Sequence, residues 1–328
     1  MWLRRKRNWR DSEAHLLLLT KFLDGESIDR YSDSEEWTSV LGENPKKAVE
    51  RLIDESMLQP ASLARLLHHT FTATELRTML RQMGIKVAGR KAEIIERLIE
   101  SDAAAMQSIT KSATVYECTV RGTQLAQEYP TKQQDCRRDT EQNTLALLVE
   151  KNVVEAVRVM VHYESIQVFP RGNGVDWENY DCKSAAESLR VIFQERPGIL
   201  NGMKTNRLEE LRIAAGMIHL WGVSNAKPWL SADFETGVHF DANVAARMLC
   251  SYAVNLERLK GFEDPDLVGF VTGVEISAIN DGRTCQECSQ IDKNRYKFGQ
   301  TPELPLTKCT SEMGCRCLVV PITVVDEN

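Results

Sequence analysis

Five of the chain's nine cysteines lie close together, at positions 285, 288, 309, 315 and 317. Cys285 and Cys288 form a C-x2-C knuckle, a spacing at which one tight turn presents both sulfurs to a single ion. Four thiolates close a tetrahedral structural zinc site. Cys285, Cys288, Cys309, Cys315 and Cys317 are therefore the candidate ligands of one zinc ion, with either Cys315 or Cys317 left over. Around them, Pro302, Pro305 and the glycines at 282, 299 and 314 leave little room for a hydrophobic core. Metal binding, worth roughly 10–16 kcal/mol in small zinc domains, is expected to order such a segment. The short runs Val274–Ile276 and Leu318–Val325 flank it and read as strands. Cys118, Cys136, Cys182 and Cys250 are scattered and fit ordinary packing. In a chain of 328 residues this usage indicates a reducing compartment, and a cytoplasmic protein is expected.

The formal charge of −6 excludes a surface that is positive throughout, so any nucleic-acid surface must be local. The N-terminal arm is local in that sense. Arg4, Arg5, Lys6, Arg7 and Arg10 interleave with Trp2 and Trp9, offering charge and aromatic surface to DNA or to an anionic membrane face. No apolar h-region follows, so a secretory signal is not read here. No apolar run approaches the roughly 18 residues of a transmembrane helix; the longest, Ile213–Val223, contains His219.

Helical patterns cover residues 12–23, with Ser12 as N-cap, then Trp37–Leu41, and then Pro45–Met57 behind Asn44. Residues 115–120 alternate as a strand, and Arg121-Gly122 is expected to turn it into a helix over Thr123–Tyr129. Three helices, a strand and a turn closing on a helix outline a winged-helix-like domain over 1–130, with Leu58–Ala61 and Tyr116–Val120 as wing strands. The intervening stretch is too long for a wing and reads as an inserted module. Within it, Thr74–Met83 and Lys91–Glu100 are amphipathic helices flanking a loop with Gly84 and Gly89. Leu76, Leu80 and Met83 form one stripe; Ile94, Ile95, Leu98 and Ile99 form the other.

Residues 72–102 resemble the SAP domain, a helix–extended loop–helix module of DNA-associated proteins. The match rests on Glu75-Leu76, Gly84-Ile85, Gly89-Arg90-Lys91-Ala92-Glu93 and the helix around Ile94–Leu98. The resemblance implies a duplex-DNA partner, and the charge agrees. Residues 72–101 carry six bases against four acids. Arg77, Arg81, Lys86, Gly89, Arg90, Lys91 and Arg97 are the candidate nucleic-acid contacts. Arg90 and Lys91 stand at a helix start, where free N–H groups favour phosphate. Such binding is dominated by phosphate and selects sequence weakly. By contrast, residues 11–60 hold twelve acids and five bases, which suits a protein partner better than DNA.

Ser101–Thr114 reads as a connector, and the polar run Thr131–Asn143 as a domain boundary. A helical domain over 140–265 follows, with helices at Thr144–Glu164, Ser184–Gln194, Arg207–Trp221 and Asp241–Leu259, and a loop at Val168–Asp181. The cysteine-rich module occupies 270–328. Its Asp281-Gly-Arg-Thr-Cys-Gln-Glu-Cys288, Pro302-Glu-Leu-Pro305 and Cys315-Arg-Cys317 resemble the C-terminal segment of phage Mu-type minor head (head-morphogenesis) proteins. In that family a histidine often precedes the Cys-Arg-Cys; here Cys309 and a longer spacer stand instead. The resemblance implies a shared zinc module and a mobile-element history, with docking onto a partner protein as an alternative role. The sequence contains no P-loop, glycine-rich nucleotide turn or nucleophile elbow, and the last histidine is His239, far from the knuckle. The expected architecture is mainly α and multidomain: a winged-helix-like domain with a SAP-like insertion, a helical middle and a small β-rich zinc module. The expected role is a non-catalytic, DNA-associated factor.

Overall fold

The computed structural model describes residues 8–170, 180–221, 226–267 and 269–324. The basic arm up to Arg7, part of the 168–181 loop and Val325 lie outside the described residues. The chain is mainly helical and divides into two compact units, residues 1–136 and 137–328.

In the first unit, α1 (Glu13–Thr20), α2 (Glu35–Leu41) and α3 (Pro45–Asp54) precede the strand β2 (Leu58–Pro60), with the short strand β1 (Glu26–Ser27) after α1. Asn44 accepts a hydrogen bond from the Lys46 N–H and Pro45 occupies the first turn of α3, so the expected start is observed. Leu18, Leu19, Phe22, Val49 and Leu52 fill the core. β3 (Val115–Cys118) lies between β1 and β2. It pairs antiparallel with β2, Leu58 opposite Cys118 and Pro60 opposite Tyr116.

The expected strand end and turn at Val120–Gly122 are not observed. Thr119 caps a helix instead, its side chain accepting from the Gly122 N–H at 3.0 Å. Val120 begins α7 (Val120–Val149) and is 90% exposed. α7 also runs through Pro130 and Thr131–Asn143, and the division between the two units, after Cys136, falls within this helical run. That run is rich in Lys, Gln, Arg and Glu, which are good helix formers. Its polarity reflects an exposed helix rather than a linker.

Between β2 and β3 lie α4 (Leu63–Thr70), α5 (Ala73–Gln82) and α6 (Lys91–Thr110). Thr72 and Glu75 close a capping box at the start of α5. Leu67 of α4, Leu76 and Leu80 of α5, and Ile94, Ile95, Leu98 and Met106 of α6 form one buried core. Met83, expected in the α5 stripe, is instead 39% exposed, because α5 ends before it. The 101–114 connector is also largely helical. α6 breaks at Asp102 (φ −159°, ψ 82°), whose carboxylate accepts from the Ala105 N–H and restarts the helix.

In the second unit, Thr144–Glu164 is not one helix. Lys151 adopts φ 59°, and Asn152 caps α8 (Val153–Ser165) by accepting from the Glu155 N–H. α9 (Cys182–Gln194), α10 (Thr205–Trp221) and α11 (Ala242–Phe262) follow close to their expected positions. Met160, Ile192, Leu211 and Leu249 are fully buried among them. β4 (Val271–Ser277) is the centre of a sheet with β5 (Arg295–Tyr296) and β6 (Leu318–Thr323), and the short α12 (Gln286–Gln290) follows the first cysteine. β4 and β6 pair antiparallel, Ile276 opposite Val319. The tail has more apolar core than expected: Val271, Val274, Ile276, Leu304, Val319 and Ile322 are all buried.

Candidate nucleic-acid interface and metal centre

Residues 83–90 cross from α5 to α6 as an extended loop, and two arginines fix its path. Arg97, one turn into α6, donates to the carbonyls of Lys86 and Ala88 and, at 3.0 Å, to that of Glu93. Arg77 on α5 donates to the Gly89 carbonyl at 3.4 Å. Gly89 has φ +129°, and a Cβ there would fall 2.3 Å from the Glu93 carboxylate and 2.8 Å from the Arg97 guanidinium. Only glycine fits that combination of backbone and close approach. Lys91 Nζ donates to the His68 carbonyl at 2.5 Å, tying the start of α6 to the end of α4.

The candidate contacts thus divide. Arg77, Lys91 and Arg97 hold the loop and the helices around it. Arg81, Lys86 and Arg90 are exposed and take no part in the ion pairs of the described residues. The Arg90 backbone N–H donates to the Glu93 carboxylate at 3.3 Å, so the first free donor of α6 is already used. Periodicity revealed the two helices, but no feature of the sequence shows which arginines turn inward onto carbonyls.

Of the basic arm, Arg10 and Trp9 are described, and both are docked. Trp9 is 4% exposed and donates from Nε1 to Glu55 at 2.9 Å, while Arg10 pairs with the same carboxylate at 2.5 Å. Trp9 is therefore not available for stacking on a base, which corrects the sequence expectation. These contacts hold Trp9 and Arg10 at the C-terminal end of α3.

The module is also fastened to the sheet beneath it. His69 at the end of α4 meets Glu26 of β1 at 2.9 Å, and Arg30 meets the other oxygen at 2.5 Å. Burial works to raise the Glu26 pKa. The bonds from His69, the Ser27 N–H and Arg30 outweigh it and hold the carboxyl below its ordinary value.

In the second unit, all five expected cysteines converge and are buried or nearly so. Cys285 and Cys309 sulfurs are 3.6 Å apart, Cys288 and Cys309 3.7 Å, and Cys288 and Cys315 4.0 Å. A tetrahedral zinc with Zn–S near 2.3 Å has an S–S edge of about 3.8 Å, so these spacings suit a tetrathiolate ion. The cluster forms two overlapping triads, Cys285–Cys288–Cys309 and Cys288–Cys315–Cys317, which share Cys288. Cys285, Cys288, Cys315 and Cys317, with Ile279, Thr284, Ser311 and Arg316, also line a small cavity of about 10 Å³ beside the cluster. Hydrogen bonds from neighbouring thiols, Cys288 first, hold the Cys315 thiol low, while the Cys288, Cys309 and Cys317 thiols are held above their ordinary value. Burial pushes Cys118 and Cys250, outside the cluster, up to about 12, consistent with inert packing.

Two contacts that the cysteine spacing does not reveal support this cluster. Asn255 of α11 donates to the Cys317 carbonyl at 3.0 Å and accepts from the Val319 N–H at 2.9 Å, anchoring the last cysteine to the helical core. Asp281 accepts both guanidinium arms of Arg316, at 2.8 and 2.5 Å. No helix among the described residues is long and apolar enough to cross a membrane.

Comparison with known proteins bears on the helix–loop–helix module. The SAP domain family model matches residues 69–103, a span that begins at the end of α4 and closes just past the Asp102 break. No curated protein and no solved structure matches the chain.

Proposed function

We propose that this protein is a non-catalytic DNA-associated factor that holds duplex DNA by its phosphates through the SAP module. The observation that carries this reading is the group of exposed bases Arg81, Lys86 and Arg90 around a loop whose carbonyls are already bound by Arg97 and Arg77. Three cations without bidentate base-reading geometry give affinity and little sequence choice. Around this module stand a winged-helix-like frame over 1–130, a helical domain over 140–265 and a zinc module over 270–328. The antiparallel pairing of β2 with β3 across the module supports the frame. The cysteine cluster supports one structural zinc held by four of Cys285, Cys288, Cys309, Cys315 and Cys317. Thiols kept reduced for a metal suit the cytoplasm.

A second reading, an assembly protein related to phage Mu-type minor head proteins, is favoured by one specific contact. Asp281 and Arg316, both inside the motifs that resemble that family, are joined in a bidentate pair. In this reading the helical and zinc modules dock a protein partner, and the DNA module tethers the assembly.

The test of the leading reading is the double variant Lys86→Gln/Arg90→Gln on duplex DNA. Removing one phosphate-binding cation lowers the log–log salt slope by about 0.9, so the pair lowers it by about 1.8. Between 50 and 200 mM salt the wild type should then lose roughly 12-fold more affinity than the variant. Equal slopes would remove these side chains from the DNA surface.

A further inference from the structure

We infer that Asp281 and Arg316 are positioning residues for the metal centre, a single ionic clamp that holds the two ends of the ligand set in register. The inference rests on the reading of the cysteine cluster as a metal site.

The two ends are far apart in sequence and come from unlike structures. Cys285 caps α12 at the end of a turn, whereas Cys315 and Cys317 lie on the extended chain that enters β6. Asp281 builds the first end. Its carboxylate accepts from the Arg283 N–H at 3.0 Å and from the Thr284 hydroxyl at 3.3 Å, and its carbonyl accepts from the Thr284 N–H at 3.0 Å. This fixes the turn that delivers Cys285. The same carboxylate takes both arms of Arg316, the residue between Cys315 and Cys317. Arg316 is also one wall of the sulfur-lined cavity.

Neither residue offers a sulfur to the ion, and together they carry no net charge, so their effect is geometric rather than neutralising. A planar guanidinium gripped by two oxygens has one orientation. That orientation fixes the backbone on either side of Arg316, and with it the direction in which the two cysteines face. Without the clamp, Cys317 would still be anchored through Asn255, Cys315 through its N–H to the Met248 sulfur, and Ser311 to the Arg283 carbonyl, but the direct tie between the knuckle turn and the residue between the two cysteines would be lost. Outer partners that orient ligands in this way typically contribute 10–100-fold in metal affinity.

The experiment is a zinc-competition titration on the full chain, comparing wild type, Asp281→Asn, Arg316→Met, Arg316→Lys and the double variant Asp281→Asn/Arg316→Met. Asparagine can still accept from the turn, so Asp281→Asn spares the local backbone. Each of the two charge-removing single variants should bind zinc about 10–100-fold more weakly. The double variant should be no more than about threefold weaker than the poorer single, since both remove one clamp. Arg316→Lys should fall between wild type and Arg316→Met. Cobalt(II) spectra provide a second measure: the bands of tetrahedral thiolate coordination should be present in wild type and weakened in the clamp variants. Single variants within threefold of wild type, or losses that multiply in the double variant, would overturn the clamp while leaving the metal reading intact. A wild-type protein that takes up neither zinc nor cobalt would overturn the metal reading, and the clamp with it.

Discussion

Arg97→Met separates a positioning arginine from a DNA-contacting one. Methionine keeps most of the aliphatic stem over the α6 surface but removes every donor. Three carbonyls are deprived of a charged partner, those of Lys86, Ala88 and Glu93. Glu93 lies inside a helix that supplies its own bond, so the net cost falls on the two loop carbonyls. At about 0.5–1.5 kcal/mol for each net bond, the module should be destabilised by roughly 1–3 kcal/mol. The lower half of that range is favoured because the loop is exposed and water can replace the guanidinium. With a urea slope of about 2 kcal/mol/M, the expected midpoint shift is about 0.5–1.5 M for the transition that reports the first unit. Amide exchange over residues 84–90 should accelerate. Duplex DNA should bind more weakly, with the salt slope reduced by much less than the roughly 0.9 that removal of a phosphate-binding cation brings. Unchanged stability together with a slope lower by about 0.9 would refute the structural role of Arg97 and return it to the DNA surface.

Glu26→Gln tests the tie between α4 and the sheet. Glu26 is ionised more readily in the fold than in the unfolded chain, so its contribution is present above the unfolded carboxylate value, about 4.3, and is lost as pH falls through the lowered folded value. Urea midpoints of wild type and variant should therefore differ at neutral pH and converge in acid; a gap that stays constant with pH would contradict this. Gly122→Ala should destabilise the first unit by about 1–3 kcal/mol or more in thermal melts, because a Cβ would lie 2.0 Å from the Met57 carbonyl oxygen. An unchanged melt would show that the helix start and β2 are not in that close approach. Cys285→Ser should lower zinc below one ion per chain and open protease sites between residues 279 and 316. β4 and β6, buried against their own neighbours, should resist digestion. Digestion identical to wild type would argue against a metal-ordered loop.

Spacing made the cysteine cluster legible, because a knuckle and a second group of thiols need no knowledge of the chain between them. The helices of the SAP module were legible for a similar reason: Leu76, Leu80, Ile94, Ile95 and Leu98 repeat on one face and do meet. α4 and Met106 complete that core but carry no motif. Polarity over Thr131–Asn143 coincides with the division between the units but did not show the helix that runs through it, because the residues that mark linkers also sustain an exposed helix. The break at Lys151 was hidden because a left-handed lysine is not announced as a glycine would be. Arg97 illustrates a further limit. Its charge argued for phosphate, yet the direction of nearby carbonyls, which no sequence pattern displays, turned it inward. Asp281 and Arg316 both fall within the cysteine motifs, but their pairing was hidden, since an ion pair between distant positions leaves no periodicity.

Binding of the 328-residue chain to two unrelated duplexes of equal length, measured across a range of salt, separates phosphate holding from every other role. Dissociation constants should be similar for both duplexes and affinity should fall steeply with salt, with a log–log slope of at least about 2.7 if Arg81, Lys86 and Arg90 each hold a phosphate. An absence of duplex binding at low salt, or affinity that does not change with salt, would contradict phosphate holding.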